Sequence, residues 1–282
     1  MSESITPSRP AAPGQAAPGH TRSNEPDSGA RTLSRWAILL YGAGCYAMFL
    51  IVFLWAIAFV VGFGLPVTLD SLPEPGSSWT TALAINLGLL ALFAVQHSVM
   101  ARPAFKRAWT KLVPEAAERS TYVLFTNVAM IAMFLLWRPV GGVIWSVEQP
   151  VASVMLEIGG VLGWLLVLYA TFLINHFDLF GLRQSWLAFR NKPYTQLRFK
   201  TPKAYTIVRH PMYVGWLMAF WFTPTMTAAH LVFALLTTAH ILVAIRLEER
   251  DLVSEHGASY EDYQRQVPML VPGAKGRKAV GS

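Results

Sequence analysis

The chain is organised by long uninterrupted apolar runs, not by the three-and-four spacing of a soluble amphipathic helix. Runs cover residues 36–63, 79–100, 121–140 and 151–174. Each is near or above the roughly 20 residues that cross a hydrocarbon core as a helix, so each is read as a membrane span. A further apolar stretch, residues 211–247, holds Pro224 between Thr223 and Thr225. Proline in mid-helix removes a backbone hydrogen bond, so a helical hairpin is predicted in place of one long helix. Its first arm, residues 211–223, would reach only about 20 Å. That is too short to cross alone, so the turn is expected within the protein, where neighbouring helices can cover it. The expected fold class is all-α: a polytopic integral membrane helical bundle of five to six membrane segments with a C-terminal helical hairpin.

Flanking the apolar region, residues 1–32 carry Pro7, Pro10, Pro13, Pro18 and Pro26 among Ala, Gly and Ser. Such a composition does not offset the entropy of ordering, and a disordered tail is expected. The division predicted is this tail, a membrane domain over 33–272, and a flexible basic tail over 273–282. The first apolar run begins too far from the start for a cleaved signal peptide and is expected to stay in the mature protein. Composition excludes a soluble enzyme: 54% of residues are hydrophobic and 14% charged, against roughly 25% charged in ordinary soluble domains. The single cysteine, Cys45, excludes an internal disulfide and a cysteine-based zinc or iron–sulfur site; it reads as a small core hydrophobe.

The net charge of +7 would point to nucleic acid in a soluble protein, but its distribution gives it another meaning. Of 23 Lys and Arg residues, 22 precede the first span, lie between the second and third, lie between the fourth and the hairpin, or close the chain. Only Arg138 falls on the other side, with Asp70, Glu74 and Glu148. By the positive-inside rule both termini are cytoplasmic, and a bacterial inner membrane is the expected location. Orientation and anionic lipid headgroups account for the charge, and no nucleic-acid partner is expected.

Polar and ionisable residues are costly in a membrane, and here they gather at one end of the spans. Gln96 and His97 close the second; Tyr122 and Asn127 lie early in the third; Asn175, His176 and Asp178 follow the fourth. Arg209, His210 and Tyr213 open the hairpin, and Arg246, Glu248 and Glu249 close it. An active site at this end is the sharper reading. The plainer one is that end charges such as Arg246 and Arg250 snorkel or cap, and that His230 and His240 pack or hydrogen-bond between helices. Glu248 and Glu249 are harder to dismiss: adjacent carboxylates repel and face about 100° apart on a helix, so one is expected to meet an internal cation.

The ordered set Arg209, His210, Pro211, Tyr213 and Gly215, then Glu248, Glu249 and Leu252, then Gly257, Tyr260, Tyr263, Val267 and Pro268 resembles the isoprenylcysteine carboxyl methyltransferase and phospholipid methyltransferase superfamily. These are integral membrane enzymes that use S-adenosylmethionine. The resemblance implies a cofactor pocket formed by His210, Pro211, Tyr213, Glu248 and Glu249, extended by Arg209, Gly215 and Arg246. The residue chemistry agrees: a glutamate for the donor's ammonium, Arg209 or Arg246 for its carboxylate, and Tyr213 or Trp216 as an aromatic face for a cation or adenine. No glycine-rich fingerprint follows a strand, so a Rossmann-type cofactor domain is not expected.

A second resemblance narrows the acceptor. Residues 175–184 (Asn175, His176, Phe177, Asp178, Leu179, Phe180, Gly181, Leu182, Arg183, Gln184), together with segments 96–103, 118–122 and 224–227, are similar to bacterial methanethiol S-methyltransferases. This implies methylation of methanethiol to dimethyl sulfide, with hydrogen sulfide a further acceptor. The thiolate is the competent nucleophile, so a base is useful, and His97, His176 and Asp178 are the candidate catalytic residues. Asp178 is expected to orient His176 or His97 or to take the thiol proton through water; the plainer alternative is that it pairs with Arg183. No metal is required. The rival readings are a lipid or prenylcysteine methyltransferase, an NADPH-dependent membrane reductase, and a non-enzymatic transport or assembly factor.

Overall fold

The computed structural model describes residues 28–195 and 202–274. Most of the expected N-terminal tail and residues 275–282 of the expected basic tail lie outside them, as do the basic residues Arg198 and Lys200. In chain order the helices are α1 (Ser28–Val61), α2 (Trp79–Met100), α3 (Pro103–Trp109), α4 (Glu115–Leu136), α5 (Pro150–Ile174), α6 (His176–Leu179) and α7 (Leu182–Phe189). A 3-10 turn (Lys203–Thr206) precedes α8 (Pro211–Trp221), α9 (Ala228–His256) and α10 (Ala258–Gln266). Two short strands, β1 (Val143–Ser146) and β2 (Thr225–Thr227), form an antiparallel ribbon. Among the described residues five helices, α1, α2, α4, α5 and α9, are long and apolar enough to cross a membrane. The protein is a polytopic helical membrane protein.

Local chemistry sets the boundaries. Ser78 caps α2 by accepting from Thr81 N, Gln149 caps α5 ahead of Pro150, and Thr227 caps α9 by accepting from His230 N. Two boundaries differ from those read in the sequence. The first helix opens at Ser28, inside the stretch expected to be disordered, and its 34 residues exceed what a bilayer core requires. The third span opens at Glu115, where Glu115 and Glu118 suit the positive end of the helix dipole. It ends at Leu136, three residues before Pro139, whose ring disfavours helix in the residue it follows.

The hairpin predicted from Pro224 is present, with an element that apolar patterning did not reveal. The 11 residues of α8 span about 16 Å, so the arm ends short of a full crossing. The exposed backbone of the turn is satisfied by β2 pairing with β1, in the register Val143 to Thr227, Trp145 to Met226 and Ser146 to Thr225. Val147 N donates to Pro224 O at 2.9 Å and Ala228 N to Gly142 O at 2.9 Å, extending the ribbon at both ends. A buried polar cluster ties this end together. His230, 1% exposed, meets Asp70 Oδ2 through Nδ1 at 2.8 Å and donates from Nε2 to the Phe220 carbonyl at 2.8 Å. Thr227 Oγ1 donates to Asp70 Oδ1 at 2.6 Å. Nearby on α2, buried Asn86 bonds both backbone groups of Arg138, accepting from N at 2.9 Å and donating to O at 2.7 Å.

The main core runs between α1, α2, α4, α8 and α9 through Phe59, Leu89, Met133, Trp137, Phe220 and Phe233. Leu54, Leu92, Leu135, Met155 and Leu165 point outward, as lipid-facing residues do. The most extensive helix pairing among the described residues joins α5 to α8. A Cβ on Gly163 would stand 2.6 Å from Ala219 N and 2.7 Å from Gly215 O, and one on Gly215 would stand 2.8 Å from Gly163 O. The two backbones therefore touch, which small residues alone permit.

Gly163→Ala should force α5 and α8 apart and cost about 1 to 3 kcal/mol. Gly88→Ala, where an added Cβ meets nothing within 4 Å, should leave stability unchanged. Thermal unfolding of both variants in detergent tests the contact, and equal melting would refute it.

Candidate active site

At the opposite end of the bundle from the ribbon, the carboxylates of Glu248 and Glu249 diverge. Glu249 turns inward. Its Oε1 accepts from Arg209 Nε at 2.7 Å and meets His210 Nε2 at 2.9 Å, while Oε2 accepts from Gln264 Nε2 at 2.9 Å. Arg209, 6% exposed, also donates from Nη1 to the carbonyls of Gln264 (3.1 Å) and Val267 (2.6 Å). Its backbone N donates to Pro268 O at 2.8 Å, and His210 N to Met269 O at 3.2 Å. This network anchors the chain after α10 against the start of α8. Tyr263 completes it by donating to Tyr205 O at 2.6 Å. Burial, with Glu249 adding to it, pushes the Tyr263 phenol up to about 12, so it keeps its donor proton.

Glu248 faces elsewhere. It is half-buried, and its Oε2 accepts from Tyr213 at 3.1 Å. One turn along α8, Trp216 meets Trp164 edge-on at 5.3 Å and Phe53 at 6.3 Å. The two arginines expected to serve a cofactor are placed differently from each other. Arg209 is committed to Glu249 and to backbone carbonyls, whereas Arg246 is exposed and, two residues before Glu248, points about 200° away from it around α9. Pro211 opens α8 at its first position, and Gly215 lies against Gly163 and Val167, so close helix packing accounts for it.

The three candidate catalytic residues fall into two groups. His97 hydrogen-bonds the Tyr122 hydroxyl at 2.9 Å, stacks on Phe93 at 5.2 Å and stands 6.2 Å from the ring of His240. His176, 3% exposed, is enclosed by rings: Phe172 parallel at 4.2 Å, Phe180 at 5.0 Å, Phe177 at 5.5 Å and Tyr46 at 5.6 Å. Its Nε2 is 2.8 Å from Tyr46 Oη and its Nδ1 2.8 Å from Thr171 Oγ1. Burial pushes its imidazole below the ordinary histidine value. Asp178 orients neither histidine: Oδ1 accepts from Arg183 at 2.7 Å and Oδ2 from Tyr194 at 3.2 Å. The plainer reading of Asp178, an ion pair that pins the loop, is the one realised, because the left-handed turn at Gly181 between α6 and α7 brings Arg183 back to it.

Segment 175–185 docks on α1 and α4. Arg119 donates to Leu179 O at 2.7 Å and lies 4.9 Å over the Tyr122 ring, and Ser120 donates to Gly181 O at 3.3 Å. Phe180 stacks on Phe49 at 3.7 Å and packs against the cluster of Met100, Tyr122 and Val123. Phe49 reaches Phe53 at 5.8 Å, and Phe53 reaches Trp216. A continuous series of aromatic rings thus runs from the His176 cage to Trp216, one turn along α8 from Tyr213. Among the described residues no three His, Cys, Asp or Glu side chains converge as a metal site would require. Tyr46 and Thr171 escaped sequence analysis, since a lone hydroxyl inside an apolar span has no spacing to mark it.

A relative from Crocosphaera subtropica, methanethiol S-methyltransferase, is 55% identical over 240 residues, covering 85% of this chain and 93% of its own. The methanethiol S-methyltransferase of Mycobacterium tuberculosis is 49% identical over 241 residues, 85% of this chain and 98% of its own. Nurim from Sus scrofa is 32% identical over 241 residues, 77% of this chain and 90% of its own. No family model and no solved structure gives a significant match. The chain belongs to the methanethiol S-methyltransferase family.

The split between the two glutamates has a measurable consequence. Glu249→Gln removes the charge that compensates buried Arg209 and should cost about 3 kcal/mol. Glu248→Gln loses one partly exposed hydrogen bond and should cost about 1 kcal/mol or less. Denaturant or thermal unfolding in detergent ranks them; the reverse order would remove Glu249 from its anchoring role.

Proposed function

We propose that this membrane enzyme transfers the sulfonium methyl of S-adenosylmethionine to methanethiol, giving dimethyl sulfide. The observation that carries the reading is the match to methanethiol S-methyltransferases at 49 to 55% identity over 85% of the chain. The residues present fit the donor. Glu248 is a half-buried carboxylate whose Oε1 makes no hydrogen bond among the described residues, suited to an ammonium; Tyr213 orients it. Trp216, with Phe53 and Trp164 behind it, offers the aromatic face that attracts a cation. His210, Pro211 and Gly215 set the position of α8, and Arg209 and Glu249 hold the C-terminal segment beneath it. S-adenosylmethionine supplies an activated methyl that leaves by in-line displacement, so the protein's task is to align the acceptor, exclude water and manage one proton. The aromatic surface beside Tyr46, formed by Phe49, Phe177 and Phe180, suits a small apolar acceptor. His176 and His97 are the proton-handling groups, and Asp178 holds the cage in place.

Orientation follows from charge. Segments 102–119 and 183–209 face the cytoplasm of a bacterial inner membrane, the side on which S-adenosylmethionine is made, and both termini lie there.

Cells expressing the protein and supplied with methanethiol should accumulate headspace dimethyl sulfide. Calorimetry should show S-adenosylmethionine binding weakened on the order of tenfold to a hundredfold by Glu248→Gln, the value of one charge-assisted contact. No dimethyl sulfide, or unchanged affinity in the folded variant, would overturn the acceptor or the pocket respectively. A lone cysteine at Lys192, in a Cys45→Ser background, should resist an impermeant reagent outside intact cells; labelling there would reverse the orientation.

A further inference from the structure

We propose that Tyr46 of α1 is the group that takes the acceptor thiol's proton, passing its own to His176, with Thr171 fixing the imidazole tautomer that allows it. The inference rests on the thiol-methylation reading and deepens it.

The hydrogen-bond inventory of the cage decides the proton positions. Thr171 Oγ1 lies 2.6 Å from Leu168 O, and a carbonyl only accepts, so the single hydroxyl proton of Thr171 is spent there. Its 2.8 Å contact with His176 Nδ1 must then be donated by the imidazole. A neutral ring protonated on Nδ1 carries its lone pair on Nε2, and Nε2 is 2.8 Å from Tyr46 Oη. Tyr46 therefore donates, and His176 is poised as an acceptor. Burial keeps the ring neutral, because it opposes the imidazolium. The ring meets Thr171 and Phe172 of α5, Phe177 and Phe180 beside it, and Tyr46 and Phe49 of α1. Tyr46 is the titratable side chain among these partners. The charged groups on adjoining elements are turned elsewhere: Arg119 of α4 to the Leu179 carbonyl, and Asp178 to Arg183 and Tyr194.

His176 itself offers no approach to a thiol, being 3% exposed with both nitrogens engaged and one face covered by Phe172. Tyr46 is only half-buried, and beyond its bond to His176 its oxygen makes no other hydrogen bond among the described residues. A small thiol seated against Tyr46 and Phe49 gives its S–H proton to Oη as the phenol proton moves to Nε2. The S–H electron pair stays on sulfur and becomes the new sulfur–carbon bond. The pair of the broken donor bond stays with the donor's sulfur. The imidazolium then returns its proton through Tyr46 to water.

The test has a spectroscopic arm and a kinetic arm. In protein carrying 15N-histidine, with His176 assigned by its loss in His176→Gln, Nδ1 should appear protonated and Nε2 unprotonated, and Tyr46→Phe should shift Nε2. Tyr46→Phe should lower methanethiol methylation about 10²- to 10⁴-fold near neutral pH, the range of a general base. That deficit should shrink as pH rises and the thiol ionises unaided. The parent rate should fall as pH drops through the titration of His176, below the ordinary histidine range, because the imidazolium cannot accept. Thr171→Val should give a smaller loss and mix the tautomers. A proton on Nε2 in the parent, or Tyr46→Phe working at the parent rate with the parent pH profile, overturns the relay and leaves the reaction standing. A parent that makes no dimethyl sulfide overturns the reaction, and the relay with it.

Discussion

In hydrocarbon every backbone N–H and C=O must find a partner within the protein, and the arrangement of this molecule turns on the one place where that is hardest. Pro224 breaks the last apolar stretch, leaving α8 with 11 residues and an end inside the membrane region. Three features answer this constraint. The β1–β2 ribbon pairs the backbone of the turn, the Asp70–His230–Phe220 chain bonds the carbonyl near the end of α8, and the glycine contact with α5 covers the helix along its length. Because α8 is held at both ends and along one side, its first residues present His210 and Tyr213 in one position, toward α9.

That position explains why two adjacent carboxylates stand at the same membrane boundary. Their 100° divergence on α9 lets one serve the fold and the other remain available. Glu249, Arg209, His210 and Gln264 saturate one another, and such a buried pair is poor evidence of net stability but costly to break. What it supplies is geometry, since it fastens the segment after α10 to the start of α8. Among the described residues Glu248 accepts a hydrogen bond from Tyr213, and its other oxygen makes none.

Some of this was legible in the sequence because it follows from length and breakage. Residues 79–100 form α2 with the bounds read from their apolar run, and Pro224 marked the hairpin. That one of the adjacent glutamates would meet a cation was readable as well, since like charges repel at a boundary; which of the two pairs with Arg209 was not. What escaped depends on contacts between distant segments. The ribbon joins residues some 80 apart that carry no alternating pattern. Asp178, beside His176 in the chain, turns to Arg183 because the chain reverses through the left-handed Gly181 between them, a bend that sequence adjacency does not reveal. Gly215 lies within a cofactor-like motif, yet its neighbour is the backbone of Gly163. Tyr46 is one hydroxyl in a long apolar helix, and only the return of segment 175–185 onto α1 brings it a partner.

The same return bears on how a membrane enzyme can act on a small thiol. The aromatic side chains around Tyr46 suit an uncharged methylated sulfur, but they oppose the thiolate that must react, because an isolated anion is costly away from water. A base displaced from the cage would leave that charge to be formed alone. A phenol already bonded to a neutral imidazole lets proton departure and carbon attack proceed together, so that the negative charge on sulfur need never be complete. The forming imidazolium, one phenol away from the sulfur, would then attract the charge that develops there, in surroundings whose low polarity strengthens the attraction. Under the proposed relay, the apolar rings beside Tyr46 that suit the acceptor would also make its activation effective, provided that the proton has a path out through Tyr46.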